Sequence, residues 1–139
     1  MQQDYYLFLD DERQPEDVTW LRLPPATWQI VRTYDDFVAY VTKHGAPVFV
    51  SFDHDLAHEH YRASMYNPDR HYSAYYTNGT FKEKTGRDAA LWLVEYCLDR
   101  DIELPAYAVH SMNPIGRENI VSIMESGSRV IIGNKKPPQ

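Results

Sequence analysis

One stretch constrains the fold more than any other: the apolar run Val48–Phe52, which ends abruptly in Asp53, His54 and Asp55. Continuous Val and Phe with a single small Ser is typical of a strand buried on both faces, as in a parallel sheet covered by helices. Charged groups cannot stay inside such a layer, so the three ionisable residues must emerge at the carboxyl end of the strand. Open α/β sheets place their ligand crevice at that end, although three polar residues would also fit a solvated loop.

Length and composition limit the classes of protein that remain. The 139 residues suit one domain, residues 1–139, which is large enough to bury a core. We expect a cytoplasmic protein, because the N-terminus lacks a signal-like basic region, no apolar run approaches the roughly 18 residues of a membrane span, and the single cysteine, Cys97, has apolar neighbours. The net charge of −6 argues against binding of long duplex DNA, but not against recognition of one nucleotide or one strand end.

Four further segments have the composition of strands, and two of them repeat the pattern of an apolar run that ends in polar groups. The segments are Tyr5–Leu9, Trp28–Arg32, Leu104–Val109 and Val130–Ile132. The first of them is followed by Asp10-Asp11-Glu12-Arg13, and the third is followed by His110-Ser111. Together with the run at Val48 they predict five strands.

Three helices are predicted between these strands, each from its end signals. They run from Asp35-Asp36 to Gly45, from Gly86 to Arg100 behind a Thr85 cap, and from Pro114 behind an Asn113 cap to about Glu125, with Gly127 just beyond. Asp88, three residues after Thr85, predicts a capping box at the start of the second helix. Prolines at positions 15, 24 and 25 predict an irregular crossover between the first two strands. Residues 57–84 have no sustained period, which indicates a long insert and a candidate lid.

This order of elements predicts an α/β fold: a single-layer, five-stranded parallel sheet in the flavodoxin-like and receiver-like order 2-1-3-4-5. The insert follows strand 3, and no final helix follows strand 5. The missing helix would leave one face of the sheet less covered. That face could take a protein partner or a second copy of the chain in a homo-oligomer, and a monomer is the alternative.

In that strand order the ends of strands 1, 3 and 4 lie side by side, so their polar residues share one pocket. Carboxylates packed together repel one another unless a cation or a proton offsets the charge. We therefore expect a hard divalent ion held by oxygen atoms, Mg²⁺ or Mn²⁺. The candidate ligands are Asp10, Asp11, Asp53 and Asp55.

Groups suited to phosphate binding and proton transfer flank the acidic residues. The helix that begins near Pro114 directs its free N–H groups and positive dipole end to the same rim, and Arg117 could bind phosphate in bidentate fashion, unless it is only a solvated helix residue. The candidate phosphate ligands are Arg13, Ser111, Asn113 and Arg117. The candidate catalytic residues are Asp53, His54 and His110, where a histidine satisfied by structural contacts is the plain alternative for His110.

The motifs also resemble known families. Leu7–Glu12 followed by Asp53 resembles a response-regulator receiver domain, in which Ser111 and Lys136-Pro137 would match the hydroxyl and Lys-Pro positions. A closer resemblance is to the divergent receiver-like family called cyclic-phosphate-processing receiver domains, on the blocks Leu7–Arg13, Ser51–Leu56, Thr85–Cys97 and His110–Ile120. This resemblance implies a role on cyclic phosphate ends in RNA repair. His54, Asp55 and His110 depart from signalling receivers, which favours phosphoester chemistry over a phosphorelay.

Three functions remain open at this point. The first is a metal-dependent phosphoesterase, a hydrolase acting on a nucleotide or an RNA end that bears a cyclic phosphate. The second is a receiver phosphorylated on Asp53. The third is a non-catalytic module that binds a nucleotide or a protein.

The insert and its start add two weaker features. Five tyrosines with basic residues between them could stack on bases as a lid, or fold back onto the domain: Tyr61, Tyr66, Tyr72, Tyr75 and Tyr76 with Arg62, Arg70 and His71. A second group has the density of transition-metal ligands but the spacing of no zinc signature: His54, His58 and His60 with Asp55 and Glu59. A polar loop is the alternative for this second group.

Overall fold

A computed structural model describes residues 4–56 and 84–135, with side chains described as far as Ile132. Within these ranges lie strands β1 (Tyr6–Leu9), β2 (Trp28–Val31), β3 (Phe49–Phe52) and β4 (Ala106–Val109), and helices α1 (Tyr34–His44), α2 (Gly86–Arg100) and α3 (Pro114–Lys135). Residues 57–83 and 136–139 lie outside the described residues. Nearly all of the candidate lid, most of the histidine group and Lys136-Pro137 are therefore also outside them.

The four strands form one parallel sheet in the order β2-β1-β3-β4. Leu9 lies opposite both Val31 and Phe52, and Phe52 lies opposite Val109, so the strands end at the same level. This confirms the predicted order for strands 1 to 4. The β1–β2 crossover contains a 3-10 turn at Pro15–Asp17, in agreement with the proline pattern.

Alternation along the strands separates two faces of the sheet. Leu7, Leu9, Val50 and Phe52 share one face and pack in the hydrophobic core with residues of the three helices, such as Phe37 of α1, Leu93 of α2 and Ile120 of α3. Phe8 and Ser51 therefore point to the opposite face, where Phe8 contacts the ring of Trp28. Asp10 and Asp53, two positions after Phe8 and Ser51, continue on that face just past the strand ends.

The helix boundaries follow from end groups that the sequence supplies. Thr33 caps α1 by accepting the Asp36 N–H at 3.0 Å, and Gly45 ends it with a φ of 87°, a conformation that favours glycine. At the start of α2 the Asp88 carboxylate accepts the Thr85 N–H at 2.8 Å, as the predicted capping box requires. In the part of the chain that is described, no helix has both the length and the apolar character needed to cross a membrane.

The predicted fifth strand is wrong, because Val130–Ile132 lies in the last turns of α3. Gly127 does not end the helix near Glu125: a Cβ at this position would lie 2.8 Å from the Val94 methyl groups, so its lack of a side chain permits close packing against α2. β-Branched residues disfavour a helix by only about 0.7 kcal/mol or less each. Burial of Ile131 in the core outweighs that preference.

Candidate active site

Three side chains from three neighbouring strand ends meet at one edge of the sheet. Each is the first residue after its strand: Asp10 after β1, Asp53 after β3 and His110 after β4. All three are buried. One potential ligand atom from each lies within 4.8 Å of the other two. They meet because positions 8 and 10, 51 and 53, and 108 and 110 alternate onto the same face of the sheet.

Asp10 is held ionised by several hydrogen bonds. Its Oδ1 accepts the N–H groups of Glu12 and Arg13, both at 2.9 Å, and its Oδ2 lies 3.0 Å from His110 Nε2 and 3.5 Å from the Arg13 guanidinium. Burial on its own would raise the pKa of Asp10, but the hydrogen bonds from His110 and from the two amides outweigh burial and lower it. The site therefore contains a fixed negative charge.

Asp53 lies beside that charge and is poorly compensated. Its Oδ1 accepts the His54 N–H at 2.9 Å, whereas Oδ2 is buried without a hydrogen-bond partner. Burial, together with the neighbouring carboxylates of Asp10 and Asp55, raises the pKa of Asp53 to about 8, although Arg13 opposes the rise. An unpaired buried oxygen next to an ionised carboxylate is a position where a cation or a proton is strongly favoured.

The ring of His110 is held by contacts to its face and to both of its nitrogens. Its ring stacks on Phe8 with centroids 4.4 Å apart and planes 7° from parallel, while Nδ1 lies 2.6 Å from Ser51 Oγ. Burial lowers the pKa of His110, although the hydrogen bond to Asp10 opposes this effect. The ring is therefore neutral near pH 7, with the Nε2 proton directed at the Asp10 carboxylate and Nδ1 accepting from the Ser51 hydroxyl.

Arg13, Trp20 and Met112 form the rim of the site. The Arg13 guanidinium lies 5.2 Å from the centre of the Trp20 ring, and its Nη2 lies 3.7 Å from Met112 Sδ. Trp20 Nε1 donates to the His110 carbonyl at 3.0 Å, which ties the rim to the buried histidine. Trp20 is 41% exposed and Met112 65% exposed, so an apolar surface borders the charged pocket.

His54, Asp55 and Asn113 form a neighbouring buried network that anchors α3. His54 Nδ1 lies 3.0 Å from Asp55 Oδ1, and the Asn113 amide donates to both Asp55 oxygens at 3.3 and 3.4 Å. Asn113 Oδ1 in turn accepts the Gly116 N–H at 3.1 Å and caps the helix. The His54 ring packs on Gly116, where a Cβ would lie 2.3 Å from its Cγ, so His54 faces the helix layer.

The remaining predicted residues occupy positions around this centre. Ser111 is buried, and its Oγ accepts the Asn113 N–H at 3.1 Å. Arg117 is exposed on the first turn of α3, and its N–H donates to the Asn113 carbonyl. Asp11 is half-buried and close enough for its charge to raise the pKa of Asp53. Of the predicted set, Asp10, Asp53, His110 and Arg13 are brought into direct proximity.

Sequence reasoning missed two residues of the site, Ser51 and Trp20. Ser51 has the same strand parity as Asp53, and this parity was the available signal that it faces His110. Trp20 lies in the proline-rich crossover, which has no periodicity from which its position beside the pocket could be predicted. Gly86 was assigned to a helix start only, yet a Cβ there would lie 1.8 Å from the Asp53 carbonyl, so α2 begins in direct contact with the site.

Residues 5–126 match the family model described as the cyclic-phosphate processing receiver domain. The match includes all four strands, the whole of α1 and α2, and every residue of the site. No match is found among curated proteins or among solved structures.

Proposed function

The chain belongs to the family of cyclic-phosphate processing receiver domains, and from the geometry of its site we propose that it is a divalent-metal-dependent phosphoesterase acting on cyclic phosphate ends of nucleotides or RNA. One observation carries the metal dependence. Asp53 Oδ2 is buried without a hydrogen-bond partner, and Asp53, Asp10 and His110 each offer one ligand atom within 4.8 Å of the other two. A divalent cation would compensate both carboxylates at once.

The donor set fits such an ion. Asp10 and Asp53 would hold it through carboxylate oxygens, the ligands that Mg²⁺ and Mn²⁺ prefer. When bound, the ion would supply Lewis-acid polarisation of a phosphoryl oxygen. Arg13, held between Trp20 and Met112 and 3.5 Å from Asp10 Oδ2, would bind the other phosphoryl oxygens and offset the negative charge that grows in the transition state.

The rim supports a nucleotide as the substrate. Trp20 and Met112 are exposed beside Arg13, so a phosphate on the guanidinium would place its nucleoside next to an aromatic and a thioether surface. Stacking on an aromatic ring is tolerant of base identity and contributes about 1–3 kcal/mol per base. The reaction would add water across one ring P–O bond: the water oxygen bonds to phosphorus, the bond to one ribose oxygen breaks, and the water proton ends on the released hydroxyl.

The direct test is hydrolysis of 2′,3′-cyclic nucleotides and of short RNAs ending in a cyclic phosphate, with the full chain, in the presence of Mn²⁺ or Mg²⁺ and in EDTA. D53N should reduce turnover by about 10²- to 10³-fold, the usual loss when one charge-stabilising group is removed. D99N, which removes an exposed carboxylate on α2, is the matched control and should retain full turnover. Turnover that persists in EDTA and in D53N would exclude the proposed function.

A receiver-type phosphoacceptor is the second candidate, because the buried Asp53 oxygen at the end of β3 has no hydrogen-bond donor that would hold it back from attack on a phosphoryl group. In that case Asp53 Oδ2 would form a bond to phosphorus, and the bond between phosphorus and the leaving group of the phosphodonor would break. Incubation with phosphoramidate and intact-mass measurement separate the two functions. A stable phosphoryl adduct that D53N lacks, without turnover of cyclic nucleotides, would favour the phosphoacceptor.

A further inference from the structure

We propose that His110 is the third ligand of this ion through Nε2, and that the site therefore takes a first-row transition ion such as Mn²⁺ in preference to Mg²⁺, with Ser51 setting the position of the ring proton. This inference rests on the metal dependence proposed above. It assigns His110 and Ser51 roles that differ from general acid–base catalysis.

The spacing of the side chains supports coordination. His110 Nε2 lies 3.0 Å from Asp10 Oδ2. Two adjacent ligands of an octahedral ion with bonds of about 2.1 Å are also separated by about 3.0 Å, so the pair already has the spacing that a shared ion requires. The third position is supplied by Asp53 Oδ2, which is buried and has no hydrogen-bond partner.

The ring of His110 is held so that Nε2 stays directed at the carboxylates. It is fully buried, stacks on Phe8 with centroids 4.4 Å apart, and its backbone N–H donates to the Phe52 carbonyl at 2.9 Å. Both ring nitrogens face protein groups, Nδ1 towards Ser51 and Nε2 towards Asp10. A histidine that is enclosed in this way is suited to coordination, because its nitrogen needs no reorientation when an ion enters.

Ser51 can form a hydrogen bond with either neutral tautomer of His110, as a histidine that changes tautomer on binding an ion requires. Without an ion, Nε2 carries the proton and donates to Asp10, so Nδ1 accepts from the Ser51 hydroxyl. An ion needs the Nε2 lone pair, so the proton on Nε2 must leave and one must bind Nδ1, which keeps the ring neutral. The hydroxyl can rotate to accept from Nδ1 across the same 2.6 Å contact, whereas most side chains would suit only one of the two tautomers.

The imidazole ligand determines the choice of ion. Mg²⁺ prefers oxygen ligands and loses its water shell reluctantly, whereas imidazole nitrogen suits the first-row transition ions. A set of two carboxylates and one imidazole should therefore bind Mn²⁺ more tightly than Mg²⁺. Replacement of Ser51 by Ala should weaken Mn²⁺ binding by about 10- to 100-fold, as is usual when the group that orients a histidine ligand is lost.

Pulsed electron paramagnetic resonance of the full chain loaded with Mn²⁺ tests the inference without any measurement of activity. A ¹⁴N nucleus bonded to the ion gives a modulation of the electron spin echo. We expect this modulation in the wild-type protein and in H44Q, which removes an imidazole at the last residue of α1, beside Tyr5 at the other end of β1 from Asp10, and we expect its loss in H110Q. S51A should show weaker Mn²⁺ binding in a titration, with little change for Mg²⁺.

The outcomes separate this inference from the proposed function. Mn²⁺ that binds without ¹⁴N modulation, or a modulation that persists in H110Q, would overturn the role of His110 and leave the metal-dependent phosphoesterase intact. If neither Mn²⁺ nor Mg²⁺ binds the wild-type protein, both fail together. Since the wild-type spectrum alone decides whether nitrogen is coordinated, a folding defect in a variant does not remove the test.

Discussion

Replacement of Asp53 by Asn should stabilise the metal-free protein near pH 8. Ionisation of Asp53 in the folded state is opposed by burial and by neighbouring carboxylates, which raise its pKa from 3.8 to about 8. Because one pKa unit corresponds to about 1.4 kcal/mol, this displacement corresponds to a cost of about 6 kcal/mol when the folded protein must ionise the group. Rearrangement of side chains and water recovers part of that cost, so we expect D53N to gain about 3 kcal/mol.

The direction of the stability difference between the wild-type protein and D53N follows from its dependence on pH. Below pH 3.8 the carboxyl is protonated in both the folded and the unfolded chain, and its contribution to stability is fully present. Between pH 4 and pH 8 the unfolded chain ionises while the folded Asp53 keeps its proton, so the free energy of unfolding falls as the pH rises through the folded pKa of about 8. D53N lacks this fall, so the two unfolding curves should nearly coincide at pH 4 and separate towards pH 8.

Guanidinium denaturation in EDTA at a series of pH values measures this difference. D99N is the control, because replacement of an exposed carboxylate on α2 should change stability by less than about 0.5 kcal/mol. Addition of Mn²⁺ at pH 8 should stabilise the wild-type protein and have much less effect on D53N, since the ion compensates the charge that the variant lacks. Equal or lower stability of D53N at pH 8, with the same pH slope as wild type, would refute the assignment of Asp53 as an uncompensated buried acid.

Two further changes test the rim and the packing around the site. Trp20→Ala should raise KM for a cyclic nucleotide by about tenfold with little change in kcat, because a stacking surface binds substrate and transition state alike; a change confined to kcat would argue against a base-binding role. Gly116→Ala should destabilise by about 1–3 kcal/mol, since the new Cβ would lie 2.3 Å from the ring of His54. Gly127→Ala meets side-chain methyl groups of Val94 at 2.8 Å and of Leu104 at 3.2 Å and gains about 1 kcal/mol of helix propensity, so denaturation should show a smaller loss; equal losses would count against this account.

Several parts of the fold and site could be predicted because local signals and tertiary packing agree. The apolar runs that end in charge gave β1, β3 and β4, and parallel pairing then requires their ends to meet. Thr85 with Asp88 gave the start of α2, and the capping box is present in the structure. In these places the preference of the sequence is reinforced by the core that the same residues build.

The errors occurred where tertiary packing overrides the local signal. Val130–Ile132 has the composition of a strand, but Gly127 removes the steric obstacle between α2 and α3, and the helix continues past Ile131, which packs in the core. Trp20 lies in a segment without periodicity, and tertiary contacts place it at the pocket: the hydrogen bond from its Nε1 to the His110 carbonyl and the contact of its ring with Arg13. Neither contact has a signature within a short window of sequence.

The two histidines that follow strands show why strand parity decides chemistry. His54 and His110 each follow an apolar strand, and both were predicted to be catalytic. Position 54 alternates to the side of the helices, so its ring packs on Gly116 and bonds to Asp55 within the network that caps α3. Position 110 alternates to the side of Asp10 and Ser51, so its ring enters the charged pocket. A one-residue slip in the register of either strand would move its histidine to the other face of the sheet. The surroundings of that imidazole, and with them its role, would then change.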